Sequence, residues 1–150
     1  MKQAVAAAAL LIATVAGPTY AAAPPAREAS LQELPPQTLS AGQCALALWT
    51  RESPAKRVFM AFNRPAVARI QTGGRTQELA LKSRDGAETY GHSTRETFQG
   101  GGAEVTTEIE IEPRGGLLSG AVVSSGTLEY KDPAGWSVVL PVAGLLACQG

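Results

Sequence analysis

Apolar and polar residues alternate in several short stretches between residue 43 and the end of the chain. The most regular stretch is 104–112, whose odd positions are Val105, Thr107, Ile109 and Ile111, while glutamates dominate the even positions. A helix would distribute these glutamates around its axis, whereas successive residues of a strand point to opposite faces. The stretch 104–112 is therefore predicted to be a half-buried strand with its glutamates in water.

The last such stretch, 135–148, is almost entirely apolar and ends in Cys148. The residues that would share one face of a strand are Trp136, Val138, Leu140, Val142, Leu146 and Cys148. We interpret it as the closing strand of a β-domain, with Pro141 at an edge or a bulge, because proline cannot donate to a ladder. The only other cysteine, Cys44, lies in the first strand-like stretch, so a bond between the two would tie the first and last strands together.

The first strand-like stretch, 43–50, is apolar on both faces. One face would carry Cys44, Leu46 and Leu48, and the other would carry Ala45, Ala47 and Trp49. This pattern leaves two possibilities: the strand is covered on both sides, or Trp49 lies on the surface.

Short turns separate the stretches. Paired glycines at Gly73 and Gly74 and the Asp85-Gly86 pair are hairpin signals, and the polar stretch 88–99 is expected to be an edge strand. About eight strands with no helix in the folded part predict an all-β fold, a single small antiparallel domain. Because neighbours in sequence tend to be neighbours in space, we favour a closed or nearly closed up-and-down barrel. A two-sheet sandwich is the alternative.

The start of the chain is typical of a secretory signal peptide. A lysine precedes an alanine-rich run of about a dozen residues, too short for a membrane span of ~20 residues. We predict a signal peptide over 1–23, with cleavage after Ala21 or Ala23, and a periplasmic or secreted protein without a membrane span after cleavage. Lipid attachment is not expected, since Cys44 lies far beyond the apolar run and follows Gln43.

Residues 24–41 are rich in proline and alanine and are predicted to be a flexible leader to the β-domain, 42–150. The chain has 13 basic and 13 acidic residues, which does not match the basic surface of a nucleic-acid binder. Two cysteines in an exported chain predict one disulfide, Cys44–Cys148. One histidine and two cysteines are too few soft ligands for a structural zinc site. We expect a monomer with neither a metal nor a cofactor.

No stretch has the pattern of a catalytic site. His92 lies near serines and Asp85, but the Gly-x-Ser-x-Gly pattern of a hydrolase nucleophile is absent, so we expect His92 to be an exposed side chain. The glutamates of 104–112 are explained by the solvent face of a strand. We therefore identify no catalytic residues and expect a non-enzymatic protein.

Trp49 and Trp136 are candidate binding residues for an envelope protein or a glycan. A continuous apolar patch around either tryptophan would favour a protein partner. Our preferred hypothesis is an exported cell-envelope β-domain with a binding or structural role.

Two families resemble this sequence. The opening Gly-Gln-Cys that contains Cys44, with the ending Gly-Trp…Pro-Val-Ala-Gly-Leu…Cys that contains Trp136 and Cys148, resembles an uncharacterised family of small exported alphaproteobacterial proteins. This resemblance covers the chain from about Ala41 onward. It implies a periplasmic location and supports the pairing of the two cysteines.

A second resemblance is to the periplasmic lysozyme inhibitors, a family of small eight-stranded barrels whose Ser-Gly-x-x-Tyr loop enters the lysozyme cleft. Here Ser125 and Gly126 are followed by Tyr130, one residue later than in that family. The resemblance makes Ser125, Gly126 and Tyr130 candidate binding residues for a lysozyme-like hydrolase, which is the alternative function. Our strand assignment, however, places 124–130 within a long extended segment, from which it cannot project as a loop.

Overall fold

The computed structural model describes residues 30–150, so the predicted signal peptide, 1–23, lies outside the described residues. The described part forms eight strands: β1 (Cys44–Thr50), β2 (Arg57–Asn63), β3 (Ala66–Thr72), β4 (Arg75–Thr89), β5 (His92–Gly100), β6 (Ala103–Pro113), β7 (Gly120–Lys131) and β8 (Ser137–Cys148). Each strand pairs with the next, and β8 returns to pair with β1. The fold is a closed antiparallel up-and-down barrel, as the alternation predicts, and not the two-sheet sandwich.

The seam between β1 and β8 closes the barrel. Its register runs from Cys44 opposite Cys148 to Thr50 opposite Val142, and the two cysteines form a disulfide at one end of it. Pro141 lies one residue beyond the other end, where it pairs with β7 but has no β1 partner. Its carbonyl oxygen accepts from the N–H of Arg51 just past β1, so Pro141 lies at the end of the seam and not on an edge strand, and its missing N–H removes no bond from the β1–β8 ladder.

Alternate residues of the strands fill the barrel interior. Phe59 and Phe98 meet edge to face, with 5.7 Å between their ring centroids. Ile109 is 5% exposed, whereas Glu108 and Glu110 on the same strand are exposed. The predicted faces of 104–112 are thus confirmed, and the interior of this small barrel is a packed core.

The described part of the proline-rich segment, 30–41, lies against the outside of the barrel, although we expected a flexible leader there. Leu34 is 1% exposed and packs in one cluster with Ala45 on the outer face of β1 and with Met60 and Phe62 on the outer face of β2. Its N–H donates to the carbonyl oxygen of Arg57, and Gln32 forms a bridge with β3. The outer apolar face of β1 is therefore partly covered by the chain's own segment.

The hairpin of β4 and β5 differs from the prediction. We expected a turn at Asp85-Gly86 and an edge strand over 88–99, and both are wrong. The chain turns at Tyr90-Gly91, where both residues have the positive φ of a two-residue hairpin turn. Gly86 instead lies in a bulge of β4, with φ of 86°, where a side chain would collide with Thr94.

This hairpin extends beyond its neighbours. The β3–β4 pairing ends at Val67 and Ala80, so the rest of β4 pairs only with β5. The tip bends across the end of the barrel and approaches Asn63. The approach is so close that a Cβ added to Gly91 would lie 2.9 Å from the Cβ of Asn63. The hairpin therefore covers one end of the barrel.

Candidate functional site

The two tryptophans singled out from the sequence are far apart. Trp49 lies half-buried on the outer face of β1, opposite Ala143 of β8. Trp136 precedes β8 and is 58% exposed at a turn, where its backbone N–H donates to Asp132 Oδ1 at 2.9 Å. Trp136 precedes Ala143 by seven positions, roughly 20 Å along an extended chain. The structure therefore does not combine the tryptophans in one patch.

Ser125, Gly126 and Tyr130 all lie within β7 and pair with neighbouring strands. Tyr130 is 4% exposed and belongs to the core, whereas Ser125 donates from its hydroxyl to Glu110 Oε2 at 2.7 Å on the outside. Ser125 and Tyr130 therefore lie on opposite sides of the barrel wall, and 124–130 is not a projecting loop.

An apolar surface lies on the outside of the barrel around the seam. Neither β1 nor β8 contains a charged residue. Leu145 faces Ala47 on one neighbouring strand and Val122 on the other, so all three side chains share the outer face. Leu145 is 49% exposed. We define the apolar face as Trp49, Leu117, Leu118, Ala143 and Leu145.

Leu145 joins two shallow depressions in this face. The first, of about 430 Å³, is lined by Trp49, Ala143 and Leu145, with Arg51 and Glu52 among its polar lining residues. The second, of about 290 Å³, lies between Leu145 and the β6–β7 loop, and its lining includes Leu117 and Leu118. Leu118 is 99% exposed. The apolar face thus has concave parts and a projecting leucine at one edge.

The other outer faces of the barrel differ from the apolar face. The outer face of β1 to β3 is covered by 30–41 through Leu34, and Arg69 stacks over the ring of Phe62 with 4.9 Å to the centroid. The outer face of β4 to β6 carries ion pairs, such as that between Lys82 and Glu104 at 2.7 Å. Within residues 30–150, no chain segment covers the apolar face in this way.

A second cluster is polar and buried under the β4–β5 hairpin. His92 is 1% exposed and Glu96 is fully buried, so the expectation of an exposed histidine is wrong. His92 Nδ1 lies 3.3 Å from Glu96 Oε2, the N–H of Ser93 donates to Glu96 Oε1, and Arg84 Nη2 lies 3.7 Å from the same oxygen. The cluster therefore anchors the start of β5 to the barrel interior.

This buried cluster has part of the geometry of a catalytic pair but no access to a substrate. A carboxylate orients His92, as in hydrolase triads, yet His92 Nε2 is buried and has no hydrogen-bond partner. His92 does not line the depressions on either side of Leu145, nor those beside Glu108 and Leu31. Among residues 30–150, no three His, Cys, Asp or Glu side chains are grouped so as to hold a metal ion. We interpret the cluster as structural.

The surroundings of Tyr130 change the ionisation of its phenol. Burial in the core raises the pKa of its phenol, and the nearby carboxylate of Asp132 raises this pKa further. Both effects disfavour the phenolate. Tyr130 therefore stays neutral at physiological pH and contributes to the core rather than to chemistry.

The alternation pattern contains signals that sequence reasoning missed. His92 and Glu96 have the same parity as Phe98, so counting back from this core residue in steps of two places both inside the barrel. Leu117 and Leu118 interrupt a glycine-rich turn with adjacent leucines, which is unusual for a solvated loop. The contribution of Leu145 has no local signal, because it depends on which strands become its neighbours.

No helix within residues 30–150 is long and apolar enough to span a membrane. Comparison of the chain with protein-family models, curated proteins and solved structures found no match.

Proposed function

We propose that this protein is an exported, non-enzymatic binding domain of the cell envelope. Its apolar face docks on an uncharged, apolar surface of another envelope protein. The observation that carries the proposal is the exposure of Leu145 next to Trp49 on β1 and β8, two adjacent strands without a charged residue. The exposed Leu117 and Leu118 of the β6–β7 loop extend this surface on the other side of Leu145.

The composition of the apolar face favours a protein over a glycan. Protein interfaces have an apolar centre with a polar rim, and tryptophan is enriched among the residues that contribute most to binding. Trp49 and Leu145 would form this centre, with Arg51 and Glu52 at the rim. A glycan requires many hydrogen-bonding groups around an aromatic side chain, and Ala143 and Leu145 offer none.

The chain itself provides a model for such docking. On the neighbouring outer face, Leu34 of the proline-rich segment is buried against Met60 and Phe62. Burial of a leucine side chain contributes about 1.5–3 kcal/mol. The apolar face presents similar side chains without a cover among residues 30–150, so a partner that covers Leu145 and Leu118 gains this energy on binding.

The proposal is tested by quantitative co-purification from the cell envelope. The tagged mature domain is compared with Leu145→Lys, which puts a charge at the centre of the apolar face, and with Gln99→Lys, a matched control on the charged side of the barrel. We expect one envelope protein to co-purify with the unmodified domain and with Gln99→Lys, and to be lost with Leu145→Lys. Equal recovery with all three forms, each shown by thermal melting to be folded, contradicts the proposal. Recovery of a second copy of the chain alone also contradicts it.

A further inference from the structure

Strand β6 is paired on only one side over the second half of its length. The β5–β6 ladder runs from Gly100 opposite Ala103 to Arg95 opposite Glu108 and stops there. Residues 109–113 continue to pair with β7, on the other side of β6. In an antiparallel ladder, alternate residues direct their N–H and C=O groups to one neighbouring strand and the residues between them to the other. Every second residue of 109–113 therefore directs unpaired backbone groups to the side where β5 no longer follows β6.

The β4–β5 hairpin determines where β5 separates from β6. The bulge at Gly86 and the contact of Gly91 with Asn63 direct the start of β5 across the barrel end instead of along β6. The buried pair of His92 and Glu96 holds it there. The free edge of β6 is therefore a fixed feature of the barrel wall.

A cleft of about 450 Å³ lies beside this edge, between β5, β6 and β7. Its lining residues are Thr94, Arg95, Glu108, Ile109, Glu110, Ser125, Gly126 and Thr127. Ser125 and Gly126, which the sequence singled out as binding candidates, thus do line a cleft, although Tyr130 does not. The cleft offers room for side chains that project from an additional strand.

The charge of the edge defines the partner. Glu108, Glu110 and Glu112 alternate along the outer face of β6, and Arg95 pairs only with Glu108. Opposite charges directly across a strand pair are favourable, and like charges are unfavourable. A second copy of the same edge would place glutamate opposite glutamate, so self-pairing is disfavoured.

We propose that residues 109–113 of β6 are a strand-addition site for an extended peptide segment that carries lysine or arginine at every second position. The peptide backbone pairs with the free edge of β6, and its basic side chains face Glu110 and Glu112 on the outside. Glu112 is separated from Leu145 of the apolar face by Val122 of β7. The peptide pairs on the opposite edge of β6, the edge that faces β5, and uses no residue of the apolar face.

The test uses three capped synthetic hexapeptides and the isotope-labelled mature domain. Lys-Val-Lys-Val-Lys-Val has the proposed chemistry, Glu-Val-Glu-Val-Glu-Val reverses the charge, and a Lys-Val peptide methylated on every backbone nitrogen keeps the charge but has no N–H to donate to a ladder. We expect the Lys-Val peptide alone to shift the amide resonances of residues 109–112 and to slow their hydrogen exchange.

The charge of the protein is then reversed with the paired substitutions Glu110→Lys and Glu112→Lys. Both positions are exposed, so the barrel remains folded. Affinity for the Lys-Val peptide is expected to fall about tenfold and the Glu-Val peptide to bind instead. The proposal is overturned if the N-methylated peptide binds as well as the Lys-Val peptide, if the shifted amides lie elsewhere, or if millimolar Lys-Val peptide shifts none.

Discussion

Cys44 and Cys148 are register partners on β1 and β8, the two strands whose pairing closes the barrel, and a disulfide joins them across 104 positions of sequence. The bond lies at one end of the seam, and the apolar face lies on the outside of the same two strands. The disulfide therefore fastens the part of the wall on which the proposed docking surface depends.

The disulfide should make a large contribution to stability. The chain-entropy model gives about 4–5 kcal/mol for a closed loop of this length. We expect no free thiols when the exported protein is unfolded without reductant and labelled. We also expect reduction to lower the free energy of unfolding by about this amount in denaturant melts. Two reactive thiols per chain in the unreduced protein would contradict this prediction.

Two adjacent residues of β6 should respond differently to substitution. Ile109→Ala removes a side chain that is 5% exposed, so it should lower the free energy of unfolding by about 2–5 kcal/mol through a core cavity. Glu110→Gln changes an exposed side chain and should alter the free energy of unfolding by less than about 0.5 kcal/mol. Denaturant melts of both variants measure the difference, and equal effects would mean that the two faces are assigned wrongly.

The buried pair of His92 and Glu96 should be more important for stability than any surface ion pair. Glu96→Ala leaves the buried His92 and the N–H of Ser93 without their carboxylate partner and should lower the free energy of unfolding by about 3–5 kcal/mol. The matched control is Glu108→Ala, which breaks the exposed pair with Arg95 and should cost at most about 1 kcal/mol. A loss for Glu96→Ala no greater than that for Glu108→Ala would contradict a structural role for the cluster.

Alkaline pH should destabilise the barrel through Tyr130. Burial, and then Asp132, raise the pKa of Tyr130 in the folded state, so above pH ~10 the unfolded state loses this proton first. The stability contributed by the neutral phenol is fully present below pH ~10 and is lost as the pH rises toward the folded-state pKa. Tyr130→Phe should therefore lose less stability between neutral and alkaline pH than the unmodified protein. Identical pH profiles in denaturant melts would contradict this.

Alternation was enough to predict an all-β domain, to favour the barrel over the sandwich, and to assign the inner and outer faces of β6, although not those of β5. Ile109 and Leu146 are inside and Glu110 is outside because the side-chain period of a strand is two. The disulfide could also be predicted, because a chain with two cysteines offers only one pairing within itself.

Features that depend on how strands meet could not be predicted. His92 is buried because the β4–β5 hairpin is longer than β3 and bends over the barrel end. The sequence of a strand does not indicate how far it extends past the end of its neighbour. Leu34 lies among prolines and glutamine, yet it is buried because the outer face of β2 is apolar. The apolar face arises only when β8 returns to β1, which brings Leu145 beside Ala47.

Photo-crosslinking from the apolar face tests the central claim most directly. A benzophenone amino acid is placed at Leu145 in one form of the full-length protein and at Gln99 in the control, and intact cells that express each form are irradiated. We predict one discrete adduct from position 145, with a single envelope protein whose contact peptide is apolar and uncharged, and no adduct from position 99. The same adducts from both positions, or none from position 145, would contradict the account.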